Sequence, residues 1–250
     1  MEFDHLVFTP KTESLLCSQV FTVFEKPDAC REMNVFPQRK ILFEGPYGSG
    51  KTSAMLLSAK KAIERGWTVV FMPPSGERNI KSMEAGLSLA KKYQPSVFVM
   101  EDVDHEHREH DPYTFRQILS NLDGIISKGS RMVVLMSTNF KEKIKGGLLR
   151  PGRTDEIVSF GPLGFAGLCE LVQRCVGSGK LDPAIDWSEV YDASREYTPA
   201  FVKEMATSAA LQAVSADVKI VTQEMLIDAA RNLRFQFDET EKARSTGQYL

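Results

Sequence analysis

The sequence predicts an α/β fold, in which a doubly wound parallel sheet of five strands is followed by a small all-helical lid domain. Five short apolar runs are continuous rather than alternating, which is typical of strands buried on both faces of a parallel sheet. Helical patterns separate several of these runs, and after Gly161-Pro162 only helical patterns remain. The strand-like runs span residues 41–44, 67–72, 97–100, 132–136 and 157–160.

Helices are expected between these strands and after them. Those of the sheet domain are predicted at residues 51–65, 79–93 and 113–127, where apolar residues recur at helical spacing. An apolar stripe predicts a further helix over residues 168–176. Two more helices are expected to begin after the N-cap candidates Thr198 and Thr222.

The chain divides into four segments. Residues 1–37 contain Pro10, Pro27 and Pro37 and are predicted to pack along the main domain, with one short helix around residues 13–24. The remaining segments are the sheet domain, the helical lid domain and a polar C-terminal tail, at residues 38–161, 162–237 and 238–250.

A glycine-rich loop stands between the first strand-like run and the first helical run. It reads Gly45-Pro46-Tyr47-Gly48-Ser49-Gly50-Lys51-Thr52 and is followed by Ser53. The glycines let backbone N–H groups face the phosphates of a triphosphate, to which the helix N-terminus adds its positive end. Lys51 is expected to reach the β- and γ-phosphates, and the Thr52 hydroxyl to bind Mg²⁺. The sheet is therefore predicted to have the P-loop NTPase fold, with residues 45–53 contacting the nucleotide.

The alternative for this loop is a glycine-rich turn with a solvated lysine. Because the loop lies between a strand pattern and a helix pattern, the context favours the nucleotide site.

Polar side chains follow two of the predicted strands. Glu101 and Asp102 come directly after residues 97–100, and we expect Glu101 to hold the metal and Asp102 to polarise the attacking water. Asn139 follows the next strand and can donate to the γ-phosphate or to the water. The alternatives are a solvated acidic turn after the first strand and an asparagine that begins a turn after the second.

Two arginines, Arg150 and Arg153, close the predicted sheet domain. Guanidinium groups suit bidentate contact with a transferring phosphoryl group. From the residues alone, the two could equally be surface partners in ion pairs.

Composition narrows the function classes. The 250 residues are 42% hydrophobic and 26% charged, with a net charge of −2, so a globular protein is expected and a nucleic-acid footprint is disfavoured. The four cysteines form no C-x-x-C pair, which favours a reducing, cytoplasmic location. No signal peptide and no membrane span are expected.

In this order and spacing, the motifs resemble those of the AAA+ ATPases, and within them the AAA family proper. Residues 35–46 are similar to the lead-in to Walker A, and Glu101-Asp102-Val103-Asp104 to Walker B. The remaining resemblances are Asn121-Leu122-Asp123-Gly124-Ile125 to the leucine-aspartate-glycine signature, Ser137-Thr138-Asn139 to sensor 1, residues 148–155 to the second region of homology, and residues 198–211 to the lid helix.

The resemblance implies a ring, usually of six copies, with ATP and Mg²⁺ at each subunit boundary. Arg150 and Arg153 would then be arginine fingers that act on the nucleotide of the neighbouring copy. The implied function is ATP-driven remodelling, unfolding or disassembly of a macromolecule, most simply a protein substrate delivered directly or by an adaptor.

Two departures from the family pattern keep a second hypothesis open. Glu101 precedes Asp102, whereas the family usually has aspartate and then glutamate. The region expected to carry an aromatic pore residue reads Pro74-Ser75-Gly76-Glu77. Both departures favour a nucleotide-dependent oligomeric switch or scaffold with little hydrolysis. A third hypothesis, a DNA-acting loader, is disfavoured because the sequence has no basic block.

Overall fold

The computed structural model describes residues 6–72, 80–103, 130–140 and 153–246. By its contacts the chain forms two compact units. The sheet unit contains Pro10–Pro46 and Lys51–Phe160, and the helical unit contains the segment that ends at Thr9, Tyr47–Gly50 and the chain from Gly161 onward. The glycine-rich loop is therefore shared, because Tyr47–Gly50 group with the helical unit and Lys51 with the sheet unit.

The sheet has five parallel strands among the described residues, which confirms the predicted fold class. They are β1 (Arg39–Glu44), β2 (Thr68–Phe71), β3 (Ser96–Met100), β4 (Met132–Thr138) and β5 (Glu156–Ser159). Their order in the sheet is β2-β3-β4-β1-β5. In this order β4 lies between β1 and β3, and Met136 is paired with Leu42 on one side and Met100 on the other.

The central strands explain the continuous apolar runs. Every residue of β3 and of β4 is buried. Strands covered on both faces need apolar side chains at consecutive positions, so the alternating pattern of a half-exposed sheet is absent from them.

Helices pack around this sheet. They are α1 (Pro10–Leu15), α2 (Thr22–Glu25), α3 (Pro27–Glu32), α4 (Lys51–Glu64) and α5 (Ile80–Lys92), with a π-helical turn, Leu16–Phe21, between α1 and α2. The helix predicted at residues 113–127 lies outside the described residues.

The N-terminal helices form a longer helical path than the single short helix expected near residues 13–24. Leu16, Val20, Val23 and Phe24 are at most 3% exposed and recur at helical spacing, so burial of one apolar stripe stabilises the path. The Phe24 ring meets the Trp67 ring edge to face, with 5.0 Å between centroids.

The helical unit contains four α-helices among its described residues. They are α6 (Phe165–Val176), α7 (Trp187–Ser194), α8 (Pro199–Ser215) and α9 (Gln223–Thr246). The predicted polar tail from residue 238 is thus helical as far as Thr246. Tyr197 is buried in the core of this unit, and its hydroxyl donates to the Ala230 carbonyl at 2.6 Å.

Helix α7 was not predicted from the apolar pattern. Its N-cap is Asp186, whose carboxylate accepts from the Ser188 N–H at 2.9 Å. Together with Glu189 three residues later, Asp186 forms the sequence signature of a capping box, which is the signal that would have located this start.

Among the residues that the structure describes, no helix combines the length and apolar character needed to cross a membrane.

Candidate functional site

The glycine-rich loop connects β1 to α4, and some of its glycines have positive φ angles that other residue types rarely adopt. The φ angle is +151° at Gly45 and +98° at Gly50. A Cβ atom at Gly45 would overlap the carbonyl oxygen of Phe160, so close approach and backbone angle both require glycine. At Gly50 the nearest atom to a Cβ would be a ring carbon of Phe8 at 3.7 Å, so the backbone angle alone is restrictive.

Lys51 is the first residue of α4 and turns its ammonium group back toward the loop. The side chain is buried, with the residue 6% exposed. Its Nζ donates to the carbonyl oxygens of Gly45 and Pro46, each at 2.8 Å, and to Asn139 Oδ1 at 2.8 Å. The loop thereby holds a fixed positive charge next to the backbone that is predicted to bind phosphate.

Asn139 joins Lys51 to Asp102. Its Oδ1 accepts from Lys51, and its Nδ2 donates to Asp102 Oδ1 at 2.8 Å. Asn139 is 3% exposed, so its amide has both partners in a nearly water-free position. We call this hydrogen-bonded series the Lys51–Asn139–Asp102 chain.

Strand order produces this chain. Lys51 follows the loop after β1, Asp102 follows β3 and Asn139 follows β4, which lies between the other two strands. Because the strands are parallel, their carboxyl ends meet at one edge of the sheet, where ligands of open α/β sheets bind.

The backbone of Asp102 is also held. Its φ angle is +48°, and its N–H donates to the Ser137 hydroxyl at 2.9 Å. The Ser137 carbonyl accepts from the Val103 N–H at 2.9 Å. Sequence analysis did not assign a role to Ser137, although it lies near the end of β4, two residues before Asn139.

Three further predicted residues lie beside this chain. Glu101 is half-buried directly after β3, whereas Thr52 is exposed and Ser53 half-buried in the first turn of α4. Residues with carboxylate and hydroxyl groups therefore follow β3 and begin α4, and such oxygen donors suit a hard cation.

Within the helical unit, the loop meets the start of α8. The Ala200 N–H donates to the Gly48 carbonyl at 3.0 Å. Ser49 and Thr198 are each 3% exposed, and their hydroxyl oxygens have no hydrogen-bond partner among the residues that the structure describes. Neither Thr198 nor Ala200 was expected to contact the loop, and no local signal marks a contact between residues so far apart in sequence.

The arginine prediction is only partly within the described residues. Arg153 is exposed in the turn before β5, whereas Arg150 lies outside the described residues. The same holds for the leucine-aspartate-glycine signature at 121–125 and for the region at 74–77 in which a pore aromatic was sought.

The residues present fit a nucleotide. The loop has a glycine where a Cβ would overlap backbone, a buried cation, and in Ser49 a buried hydroxyl without a partner in the described ranges. A cradle for phosphate uses backbone N–H groups and a helix N-terminus, and a cation and a hydroxyl beside them suit the same anion.

Comparison with known proteins finds a family model and several relatives that are similar to this chain. The family model described as "ATPase family associated with various cellular activities (AAA)" matches residues 41–162. The 26S proteasome subunit RPT4 of Saccharomyces cerevisiae is 26% identical over 244 residues, which cover 90% of this chain and 53% of that protein.

Two other relatives come from prokaryotes. A proteasome-activating nucleotidase of Saccharolobus islandicus is 24% identical over 88% of this chain and 59% of its own length. The ATP-dependent zinc metalloprotease FtsH 2 of Symbiobacterium thermophilum is 27% identical over 78% of this chain and 36% of its own length. The chain thus spans 53% and 59% of the length of the first two relatives and 36% of the length of the third.

The parallel sheet, the glycine-rich loop and the family match agree with one another. Over residues 41–162 this chain is similar to the AAA+ ATPases, and the order of its strands is consistent with that similarity.

Proposed function

We propose that the chain binds ATP with Mg²⁺ at the glycine-rich loop and hydrolyses it. The observation that carries this proposal is the Lys51–Asn139–Asp102 chain, in which Asn139 after β4 links the cation beyond β1 to the carboxylate after β3. Thr52 and Glu101 would hold the Mg²⁺ ion through their side-chain oxygens. When bound, the ion neutralises phosphate charge, and the nucleotide supplies the phosphoanhydride bond that breaks.

Each member of the chain has a separate role in this reaction. Lys51 stabilises the negative charge that develops on the phosphoryl oxygens, because its ammonium group is already fixed before the reaction begins. Asp102 accepts a hydrogen bond from the attacking water and orients it. Asn139 holds Asp102 Oδ1 and so leaves Oδ2 for the water, which makes Asn139 a positioning residue.

We further propose that the active form is a ring, with six copies as the expected number. Arg150 and Arg153 would then reach the nucleotide of a neighbouring copy, so that hydrolysis depends on assembly. Exposed apolar side chains on α8 support contact with another chain, since Leu211 is 63% and Val214 70% exposed.

A protein is the proposed substrate, and remodelling or unfolding is the proposed action. The names of the relatives refer to the proteasome or to a protease. The net charge of −2 provides no general attraction to nucleic acid, which argues against the DNA-loader hypothesis. The cysteines Cys17, Cys30, Cys169 and Cys175 are all unpaired, which suits the cytoplasm.

A second candidate function is an oligomeric switch that binds ATP but hydrolyses it slowly. Asp102 occupies the position of the water-orienting carboxylate, and its side chain is one methylene shorter than the glutamate usual in the family. A shorter side chain reaches less far toward the water, which lowers the rate without removing the nucleotide site.

One experiment separates the ATPase from the switch. It measures the steady-state ATPase rate against protein concentration, with mass photometry on the same samples. Asp102→Asn is the matched variant, because asparagine tolerates the positive φ angle at this position better than alanine does. Turnover that rises as rings form, and is lost in rings of Asp102→Asn, supports the ATPase. Rings of wild type that hydrolyse no faster than the variant support the switch, and failure to bind ATP refutes both.

A further inference from the structure

The first turn of α8 needs acceptors for its N–H groups, and the glycine-rich loop supplies one. Thr198 is the N-cap residue, a position at which a threonine hydroxyl commonly accepts from an N–H in the first turn. Here the Thr198 side chain makes no cap hydrogen bond. The Ala200 N–H donates instead to the Gly48 carbonyl at 3.0 Å.

The buried state of Thr198 supports this description. Within the described part of the chain its hydroxyl oxygen has no hydrogen-bond partner, although the residue is only 3% exposed. A hydroxyl in this position is normally satisfied by the helix that it caps. The carbonyl of Gly48 has therefore taken over the capping role within the helical unit.

The two backbones are also in close contact. A Cβ atom on Gly48 would lie 2.7 Å from the Ala200 Cβ and 3.1 Å from the Thr198 hydroxyl oxygen. The φ angle of Gly48 is +71°, which other residues rarely adopt. Only glycine lets the loop approach the helix closely enough for the hydrogen bond.

Peptide geometry links this contact to phosphate binding. In a trans peptide the C=O of one residue and the N–H of the next point in opposite directions. When the Gly48 carbonyl points at the Ala200 N–H, the Ser49 N–H must point away from α8. A loop that binds phosphate through its N–H groups needs such fixed directions.

We propose that Ala200 is a positioning residue for the nucleotide site, because its N–H holds the Gly48 carbonyl and thereby orients the Ser49 N–H toward phosphate. The role in phosphate binding rests on the proposed function. The contact between Gly48 and Ala200 rests only on the geometry of the helical unit. The phosphate loop of this chain is thus preorganised by the N-terminus of α8.

A reciprocal pair of substitutions tests the contact. Gly48→Ala introduces the Cβ that would meet Ala200, and Ala200→Gly removes the atom that it would meet. The readouts are the dissociation constant of a fluorescent ATP analogue and the hydrogen-exchange rate of the Ala200 amide without nucleotide.

Gly48→Ala is expected to weaken binding roughly 100-fold and to accelerate exchange at Ala200. The positive φ angle alone accounts for about 5- to 30-fold of this loss, and overlap with Ala200 for the remainder. The double variant Gly48→Ala/Ala200→Gly should regain slow exchange and retain only the smaller loss. If the effects of the two single substitutions on the exchange rate and on analogue affinity simply add in the double variant, the proposal is overturned.

Thr198→Val is the control, since it removes the hydroxyl and keeps the shape of the side chain. We expect Ala200 exchange and analogue affinity to stay within about twofold of wild type, because the hydroxyl makes no bond. Faster exchange would show that Thr198 caps α8 and would refute our assignment. If wild type does not bind the analogue, the proposed function fails, whereas the exchange measurement still decides the contact.

Discussion

Replacement of Asn139 by alanine is expected to lower kcat for ATP much more than it lowers nucleotide affinity. Asn139 donates to Asp102 Oδ1 and accepts from Lys51 Nζ, each at 2.8 Å. The substitution removes both bonds. Lys51 keeps the carbonyls of Gly45 and Pro46, whereas Asp102 loses the donor that orients its carboxylate.

The magnitude follows from the bond that Asp102 loses. A hydrogen bond to a charged group contributes about 1.5–3 kcal/mol, which corresponds to roughly 10- to 150-fold in kcat if the bond acts only through Asp102 in its proposed role. Because Lys51 retains two acceptors, the dissociation constant for ATP should change by less than about fivefold.

The assay is steady-state hydrolysis beside equilibrium binding of a fluorescent ATP analogue. Thr138→Val is the matched control, since Thr138 is buried at the same strand end and its hydroxyl accepts from the Phe140 N–H at 3.0 Å. We expect the control to be destabilised by about 1–3 kcal/mol and to keep its kcat within about threefold. Equal losses of kcat in both variants, or an affinity loss in Asn139→Ala as large as its kcat loss, would refute the positioning role.

Three further predictions concern stability, and urea denaturation of the full chain measures each. Gly45→Ala should lower the free energy of unfolding by more than about 2 kcal/mol, because the Cβ overlaps the Phe160 carbonyl oxygen; a loss below about 0.5 kcal/mol would contradict this. Tyr197→Phe removes the hydrogen bond to the Ala230 carbonyl and should cost about 1 kcal/mol, whereas an unchanged midpoint would show that the bond is not needed. Hydrogen bonds from Ser188 lower the pKa of Asp186, so its stabilising effect is complete above its ordinary pKa and is lost as pH falls through the lowered value. Asp186→Asn keeps a capping side chain that does not titrate and should flatten the fall in stability below about pH 4; an identical fall would refute the assignment.

Much of the fold could be predicted because its signals are local. Burial on both faces requires consecutive apolar residues, so the strands β3 and β4 could be predicted from their apolar runs. The signal of the glycine-rich loop is equally local, since its glycines, Lys51 and Thr52 lie within eight consecutive residues. The same locality explains why α7 was missed, because a short helix with a single cap offers few residues to the pattern.

The sequence by itself determined the kind and order of most elements and the family that the motifs resemble. Only the tertiary structure decided that β4 lies between β1 and β3, which brings Asn139 to Lys51 and Asp102 across 88 and 37 residues. The same is true of Gly48 and Ala200, whose hydrogen bond joins loop and helix. Local patterns reflect interactions between residues a few positions apart, whereas strand order and the partner of a helix end depend on the free energy of the whole packed unit.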